Sequence, residues 1–240
     1  MRLYRFYQSG NFDIGITVTL DKNVSSHISR VLRLKEQDEI QLFNGDGFNY
    51  QARIMASGNK VAVKILASTA AHNESPLNIH LGQAISRGER MDFTLQKAVE
   101  LGAHKITPLI SDKVKFRLNK KRIEQKMKHW QRVIESACEQ SGRTVIPEIL
   151  SPMNLLQWVK LESSPGLIFT PDATLRLKDV ITTSNIRLLI GPEGGFSDNE
   201  VNQVLKHPDF SAIHLGPRIL RTETAALTAI SILQSYQGDI

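Results

Sequence analysis

The sequence predicts an α/β protein in two parts: a small β-barrel, then a mainly parallel sheet covered by helices on both faces. Three observations carry this. The first seventy residues read as short strands split by hairpin turns. From Leu77 onward, strand-like and helical runs alternate, the pattern of a parallel sheet. Near the C-terminus two apolar runs each lead through a Gly/Pro-rich loop into a helix start: Ile190-Gly-Pro-Glu-Gly-Gly-Phe-Ser-Asp-Asn-Glu200 and Leu215-Gly-Pro-Arg-Ile-Leu-Arg-Thr-Glu-Thr-Ala225.

In the first part, Glu39–Phe43, Phe48–Met55 and Lys60–Leu66 are the strand-like runs. The breaks Asn44-Gly-Asp-Gly47 and Ser57-Gly-Asn-Lys60 carry hairpin-turn chemistry. Strands this short suggest a small barrel, interrupted by a helix at Asn23–Leu32. The polar stretch Ser68–Pro76 reads as a linker, so the domains are expected at 1–70 and 74–240. Beyond it, strands are expected at Leu77–Ile85, Ile106–Ile110, Leu167–Thr170, Ile186–Ile190 and Ala212–Leu215. Helices are expected at Glu89–Leu101, Lys120–Ser141, Pro152–Leu161, Leu175–Ile181, Asp198–Leu205 and Glu223–Tyr236.

The long helix is amphipathic, with Ile123, Met127, Trp130, Ile134 and Cys138 recurring every three or four residues. Trp130 and Trp158 read as core. The last helix is apolar nearly all round, through Ala225, Ala226, Leu227, Ala229, Ile230, Ile232 and Leu233, and must be buried. A homodimer interface is the natural way to cover it. Ser197-Asp-Asn-Glu200 is a capping box, which makes Glu200 a cap rather than a catalyst. Thr222 reads as the N-cap of the final helix, with Glu223 favourably placed in its first turn.

Composition narrows the class. With 41% hydrophobic and 22% charged residues the chain reads as globular. No apolar run reaches the roughly 18 residues a membrane span needs, and the N-terminal residues lack a signal-peptide apolar region. One cysteine, Cys138, excludes an internal disulfide and a cysteine metal cluster, and the seven histidines show no metal-ligand spacing. The expectation is a cytoplasmic protein with no metal and no membrane. Between Lys113 and Arg132 lie nine Lys/Arg against Glu124 alone, +8 in a chain whose total is +6. Charge so concentrated marks a surface for polyanions.

The two Gly/Pro-rich loops follow strands and precede helices, and ligands bind at the carboxyl ends of parallel strands. Neither loop matches G-x-x-x-x-G-K-[ST] or G-x-G-x-x-G, so neither is a common phosphate cradle. Gly lets backbone groups approach a ligand closely, and the loops read as a pocket for a small polar cofactor.

Gly191-Pro-Glu-Gly-Gly195 and Leu215–Ala225 together resemble the C-terminal signature of bacterial small-subunit rRNA uridine N3-methyltransferases, a family of the SPOUT class. Three further stretches resemble that family in order: His27-Ile-Ser-Arg-Val-Leu-Arg33, Lys97-Ala-Val-Glu-Leu-Gly102, and Ala137-Cys-Glu-Gln-Ser-Gly-Arg143 with Pro147. The chain departs at Asp112-Lys113-Val114, where the family often has Glu-Arg-Ser. The resemblance implies a PUA-like, OB-related RNA-binding domain, a trefoil-knotted sheet domain and a homodimer. It implies S-adenosylmethionine as cofactor and a uridine N3 in 16S rRNA as target, within the structured small ribosomal subunit.

By the same resemblance, Thr170, Pro171, Ile190, Gly191, Glu193, Gly194, Gly195, Leu215, Gly216, Ile219, Leu220 and Thr224 hold the cofactor. Glu193 reads equally as part of the loop structure. Loss of the N3 proton calls for a base or for stabilisation of the resulting anion. Arg218 and Arg221 are candidates for the anion role, with phosphate binding or a salt bridge to Glu193 or Glu223 as the alternative. Glu223 is the candidate base. RNA contacts are expected from Arg2, Arg5, His27, Arg30, Arg33, Lys113, Lys115 and Arg143, although His27 reads as well as a surface histidine. Ribose 2′-O methylation and a ribosome assembly factor without transferase activity are the competing readings.

Overall fold

The computed structural model describes residues 3–114, 120–180 and 183–240. The chain divides into two compact units, Met1–Glu74 with Glu135–Ile146, and Ser75–Ile134 with Pro147–Ile240.

The first unit is a five-stranded mixed sheet of β1 (Tyr4–Tyr7), β2 (Thr17–Thr19), β3 (Glu39–Phe43), β4 (Phe48–Ala56) and β5 (Ala62–Ala70), in the order β1-β3-β4-β5-β2. β1 runs parallel to β3 and the other pairings are antiparallel. Side-chain alternation sends Tyr50, Ala52 and Ile54 of β4 and Val63 and Ile65 of β5 into a core with Phe6, Phe12, Ile28, Ile40 and Leu42. The first turn forms as its residues require: Asn44 Oδ1 accepts from Asp46 N, and Asp46 Oδ1 from Phe48 N.

Among the described residues no pairing closes β1 onto β2, so the expected barrel is an open sheet by its hydrogen bonds. Gln8 bridges the gap instead, accepting from Asp21 N at 2.8 Å and donating to Asp21 Oδ2 at 3.2 Å. The expected helix is α1 (Lys22–Ser26), which widens into a π-type turn over His27–Leu32 and ends at Arg33 with φ 56°. Ser68–Ala70, expected in the linker, extend β5 opposite Phe48–Tyr50. The polar side chains of Ser68 and Thr69 suit a partly solvated strand end as well as a loop.

The second unit carries an all-parallel sheet. Its strands are β6 (Asn78–Ala84), β7 (Ala103–Ile110), β8 (Glu148–Ile149), β9 (Met153–Asn154), β10 (Gly166–Phe169), β11 (Leu175–Arg176), β12 (Asn185–Ile190) and β13 (Phe210–His214). The order is β11-β13-β10-β12-β6-β7-β8, with β9 also pairing β7. From β6 the chain builds outward through β7 and β8, then returns to build the other side, where β12 lies between β10 and β6 and the last strand, β13, fits between β10 and β11. The strand order therefore switches between β6 and β12, where a crevice opens at the carboxyl ends.

The helices are α2 (Glu89–Glu100), α3 (Lys120–Ser141), α4 (Leu155–Val159), α5 (Asp198–Leu205) and α6 (Thr222–Gln237). Two expected helices are shorter. Met153–Asn154 pair with Leu109–Ile110 as β9, and Asn154 caps α4 by accepting from Leu156 N at 2.8 Å, so Pro152–Leu161 is helical only over α4. Leu175–Arg176 pair with β13, leaving a single 3₁₀ turn at Leu177–Asp179; Ile181 lies outside the described residues. In α6, Ala226, Ala229, Ile230 and Leu233 are buried within the single chain, and Leu227 and Ile232 are half-buried.

Candidate active site

The strands β13, β10 and β12 are adjacent and parallel, so their following loops meet at one edge. They enclose a cavity of about 300 Å³ lined by Thr170 and Pro171 after β10, Ile190, Gly191, Glu193, Gly194 and Gly195 around the end of β12, and Ile219 and Leu220 after β13. A smaller adjoining cavity of about 90 Å³ adds Leu215, Gly216 and Arg218. Thr224, expected with them, is exposed and lines neither. Thr222 and Ala225, three apart, share the cavity face of α6, whereas Thr224 is about 200° round the helix from Thr222.

Long-range bonds hold the loops open. Thr222 is not the N-cap. Arg221 occupies that position without a side-chain bond, while Thr222 Oγ1 donates to Gly191 O at 2.6 Å and accepts from Gln83 Nε2 at 2.9 Å. Gly195 N donates to Pro192 O, closing a turn that puts Gly195 at φ 67°. A side chain there would be strained yet would meet nothing within 4 Å, so it would project into open space. Such a cleft, built of backbone groups, glycine and aliphatic side chains, fits an adenosyl ligand. The capping box forms, and Glu200 also accepts from Asp112 N at 2.8 Å, tying the loop after β7 to α5. Phe196, Asp172, Val201, Thr222 and Ala225 are also part of the lining. The sequence signal for Thr222 is ambiguous, since a Thr before a helix reads first as a cap.

Arg218 and Arg221 are both exposed. Glu223 is half-buried, with Oε2 buried and without a hydrogen-bond partner among the described residues. The salt bridge considered for the arginines is made by another residue: Glu193 pairs with Arg90 at 3.0 Å and accepts from Arg87 N at 3.2 Å. Partial burial raises the Glu193 carboxyl pKa, but backbone N–H donors, including that of Arg87, and the Arg90 guanidinium outweigh it and hold the net value below the usual range.

The expected RNA contacts differ in their surroundings. His27, Arg30 and Arg33 are exposed near the end of the α1 segment. Lys113 is exposed, but its Nζ donates to Gly194 O and Phe196 O, so it also supports the glycine loop. Two arginines are occupied internally, a correction to their expected role. Arg5 donates to Asn49 Oδ1, Cys138 O and Arg143 O and lies 3.9 Å over the Phe43 ring, and burial pulls its pKa down to about 10. Arg143 is 4% exposed and clamped to Glu74 at 2.6 Å. Arg2 and Lys115 lie outside the described residues.

A second polar cluster occupies the opposite edge of the same sheet, beside a cavity of about 350 Å³. His80 Nδ1 meets Glu162 at 2.6 Å, while Nε2 meets Thr107 Oγ1 at 2.8 Å and Trp158 Nε1 at 3.1 Å. Trp158 only donates, so the bonding assigns the proton to Nδ1. Burial lowers the His80 pKa despite Glu162. Arg187, fully buried, donates to Val159 O and Ser164 O and stacks on Phe210 at 4.6 Å. Among the described residues no group of three His, Cys, Asp or Glu forms a metal site, and no helix is long and apolar enough to cross a membrane.

The fold and the glycine-lined cleft define a class, that of RNA methyltransferase domains: the family profile described as an RNA methyltransferase domain matches residues 73–234, and an RNA methyltransferase PUA domain matches residues 20–66. The chain belongs to the ribosomal RNA small subunit methyltransferase E family. It is 40% identical to ribosomal RNA small subunit methyltransferase E of Buchnera aphidicola (subsp. Schizaphis graminum), covering 100% of this chain and 98% of that protein. Its fold superposes with TM-score 0.97 on a Legionella pneumophila protein solved with bound S-adenosylmethionine, 41% identical over 100% of both chains. It superposes with TM-score 0.93 on ribosomal RNA small subunit methyltransferase E of Neisseria gonorrhoeae bound to S-adenosylmethionine, 39% identical over 100% of both.

Proposed function

We propose that this protein transfers the methyl group of S-adenosylmethionine to N3 of a uridine in 16S rRNA, acting on structured RNA of the small ribosomal subunit. One observation carries the reading: the three-loop cavity of about 300 Å³ belongs to a chain about 40% identical, end to end, to two proteins that hold this cofactor.

When bound, the cofactor supplies an electrophilic methyl group. The protein's residues do the rest. Thr170, Pro171, Ile190, Gly191, Glu193, Gly194, Gly195, Leu215, Gly216, Ile219 and Leu220 form the seat, with Thr222 locking it through Gly191. Attack requires N3 in line with the methyl, a positioning task for the surrounding loops. The N3 proton must leave, and negative charge then spreads to O2 and O4. Arg218 and Arg221, exposed beside the seat, stabilise that charge. Glu223, with a buried oxygen that has no partner among the described residues, is the base candidate.

A cytoplasmic setting, a domain division at 1–70 and 74–240, trefoil-knotted threading of the second domain and a homodimer belong to the same reading. Because Ala229 is buried within the single chain, a dimer through α6 uses its half-buried Leu227 and Ile232. Ile232→Glu should halve the sedimenting mass; an unchanged mass removes α6 from the interface.

The reaction is tested by labelled methyl transfer to small subunits lacking their native modification, followed by nucleoside analysis. Label in 3-methyluridine is expected. Label on the ribose, or none despite cofactor binding, overturns the assignment.

A further inference from the structure

The carboxyl edge of the sheet has a second half. The loops after β6, β7 and β12 enclose a cleft of about 680 Å³ lined by Arg87, Gly88, Glu89, Arg90, Lys113, Glu193 and Gly194. It lies where the strand order switches, the place at which open α/β sheets take ligands. It shares Glu193 and Gly194 with the cofactor cavity, so the loop after β12 is the wall between them.

The cleft's cations are incompletely satisfied. Among the described residues nothing bonds the exposed Arg87 guanidinium; only its backbone N–H is used, on Glu193. Arg90 spends one contact on Glu193 and stays exposed. Lys113 uses two of its three donors on Gly194 O and Phe196 O. The cleft also receives the start of α2, where Gly88 offers no side-chain cap to the first N–H groups. Glu193 is then the internal counter-ion, holding Arg90 until a stronger anion arrives.

We infer that the Arg87–Arg90–Lys113 cleft seats a backbone phosphate of the substrate RNA beside the target nucleotide. This rests on the RNA methyl-transfer reading above and names the residues that bring the strand to the donor. Arg forks match phosphate oxygens, and a phosphate fixed one loop away from the cofactor orients its neighbouring base. Arg87 and Arg90 are therefore positioning residues, acting on KM more than on kcat.

The test compares wild type with Arg87→Gln, Arg87→Lys and the double variant Arg87→Gln/Arg90→Gln, using unmodified small ribosomal subunits for binding and methyl transfer and calorimetry for S-adenosylmethionine. Each lost phosphate contact lowers the slope of log affinity against log salt by roughly 0.7–0.9. The expected result is part of one such step for Arg87→Gln and one full step for the double variant, since both arginines face the same phosphate. Arg87→Lys should restore the slope. RNA KM should rise roughly tenfold in the double variant, as expected from lost charge-assisted contacts, with cofactor affinity retained for Arg87→Gln. A wild-type slope in both Gln variants overturns the cleft assignment. Because the slope is read whether or not methyl is transferred, wild-type enzyme that binds subunits without methylating them overturns the reaction proposed above, and leaves the slope to judge the cleft.

Discussion

The two edges of the parallel sheet place similar residue types in opposite states. At the amino edge His80, Glu162, Trp158, Thr107 and Arg187 spend their polar atoms on one another and on buried carbonyls. At the carboxyl edge, Arg87, Arg218 and Arg221 face solvent, Glu223 keeps an oxygen without a partner among the described residues, and glycines leave the backbone uncovered. The amino-edge cavity, about 350 Å³, matches the three-loop cavity of the carboxyl edge, about 300 Å³. Volume therefore does not tell these two cavities apart; unused hydrogen-bonding capacity does. A satisfied network stabilises, and an unsatisfied one is available to a ligand.

Substitutions should separate the edges cleanly. The largest effect is expected for Arg221→Ala, a fall in kcat on the order of 10²–10³, the usual cost of losing a donor to a developing anion. Cofactor affinity by calorimetry should be nearly unchanged; weaker cofactor binding with normal turnover at saturation would move Arg221 out of the anion role. Arg187→Met should do the reverse, destabilising the fold by about 3 kcal/mol because Val159 O and Ser164 O lose their donor. Thermal unfolding reads this, and a wild-type melting temperature would break the contrast.

Gly82→Ala comes next. A Cβ there lies 2.8 Å from the Trp158 ring, so overpacking should cost about 1–3 kcal/mol in denaturant unfolding. Gly195→Val should cost less stability and more binding. The left-handed φ of 67° strains a β-branched residue by roughly 1–2 kcal/mol, and its side chain enters the cleft. Cofactor affinity should drop at least roughly tenfold, and unaltered calorimetric affinity would move the cofactor away from this loop.

The smallest effect is a pH dependence. Burial holds the His80 pKa below 6.5, so the folded ring stays neutral while the unfolded chain takes up a proton first as pH falls. Stability should therefore decline as pH drops through about 6.5. A His80→Asn variant should melt lower but lose this part of the slope; an identical slope would assign it elsewhere.

Local chemistry made much of the chain legible. Lys120–Ser141 and Asp198–Leu205 have the expected limits, because amphipathic period and a capping box act within a few residues. Pro152–Leu161 and Leu175–Ile181 misled because two-residue strands at β9 and β11 depend on partners far along the chain. The roles of arginines were least legible. Arg5 and Arg143 look like RNA ligands until the structure spends them on Cys138 O and Glu74, and Arg90 looks like an ordinary helix residue until Glu193 meets it across 103 positions.

By itself, then, the sequence determined the α/β class, the glycine loops and the basic segment, since turns, periodicity and charge are properties of neighbours in the chain. Only the tertiary structure decided which cations remain unspent, that Thr222 locks Gly191 instead of capping a helix, and that the loop after β12 divides two clefts. Those facts follow from strand order, which brings β6, β12 and β10 side by side although long stretches of chain separate them. Hydrogen-bonding capacity is spent on whatever the fold brings near.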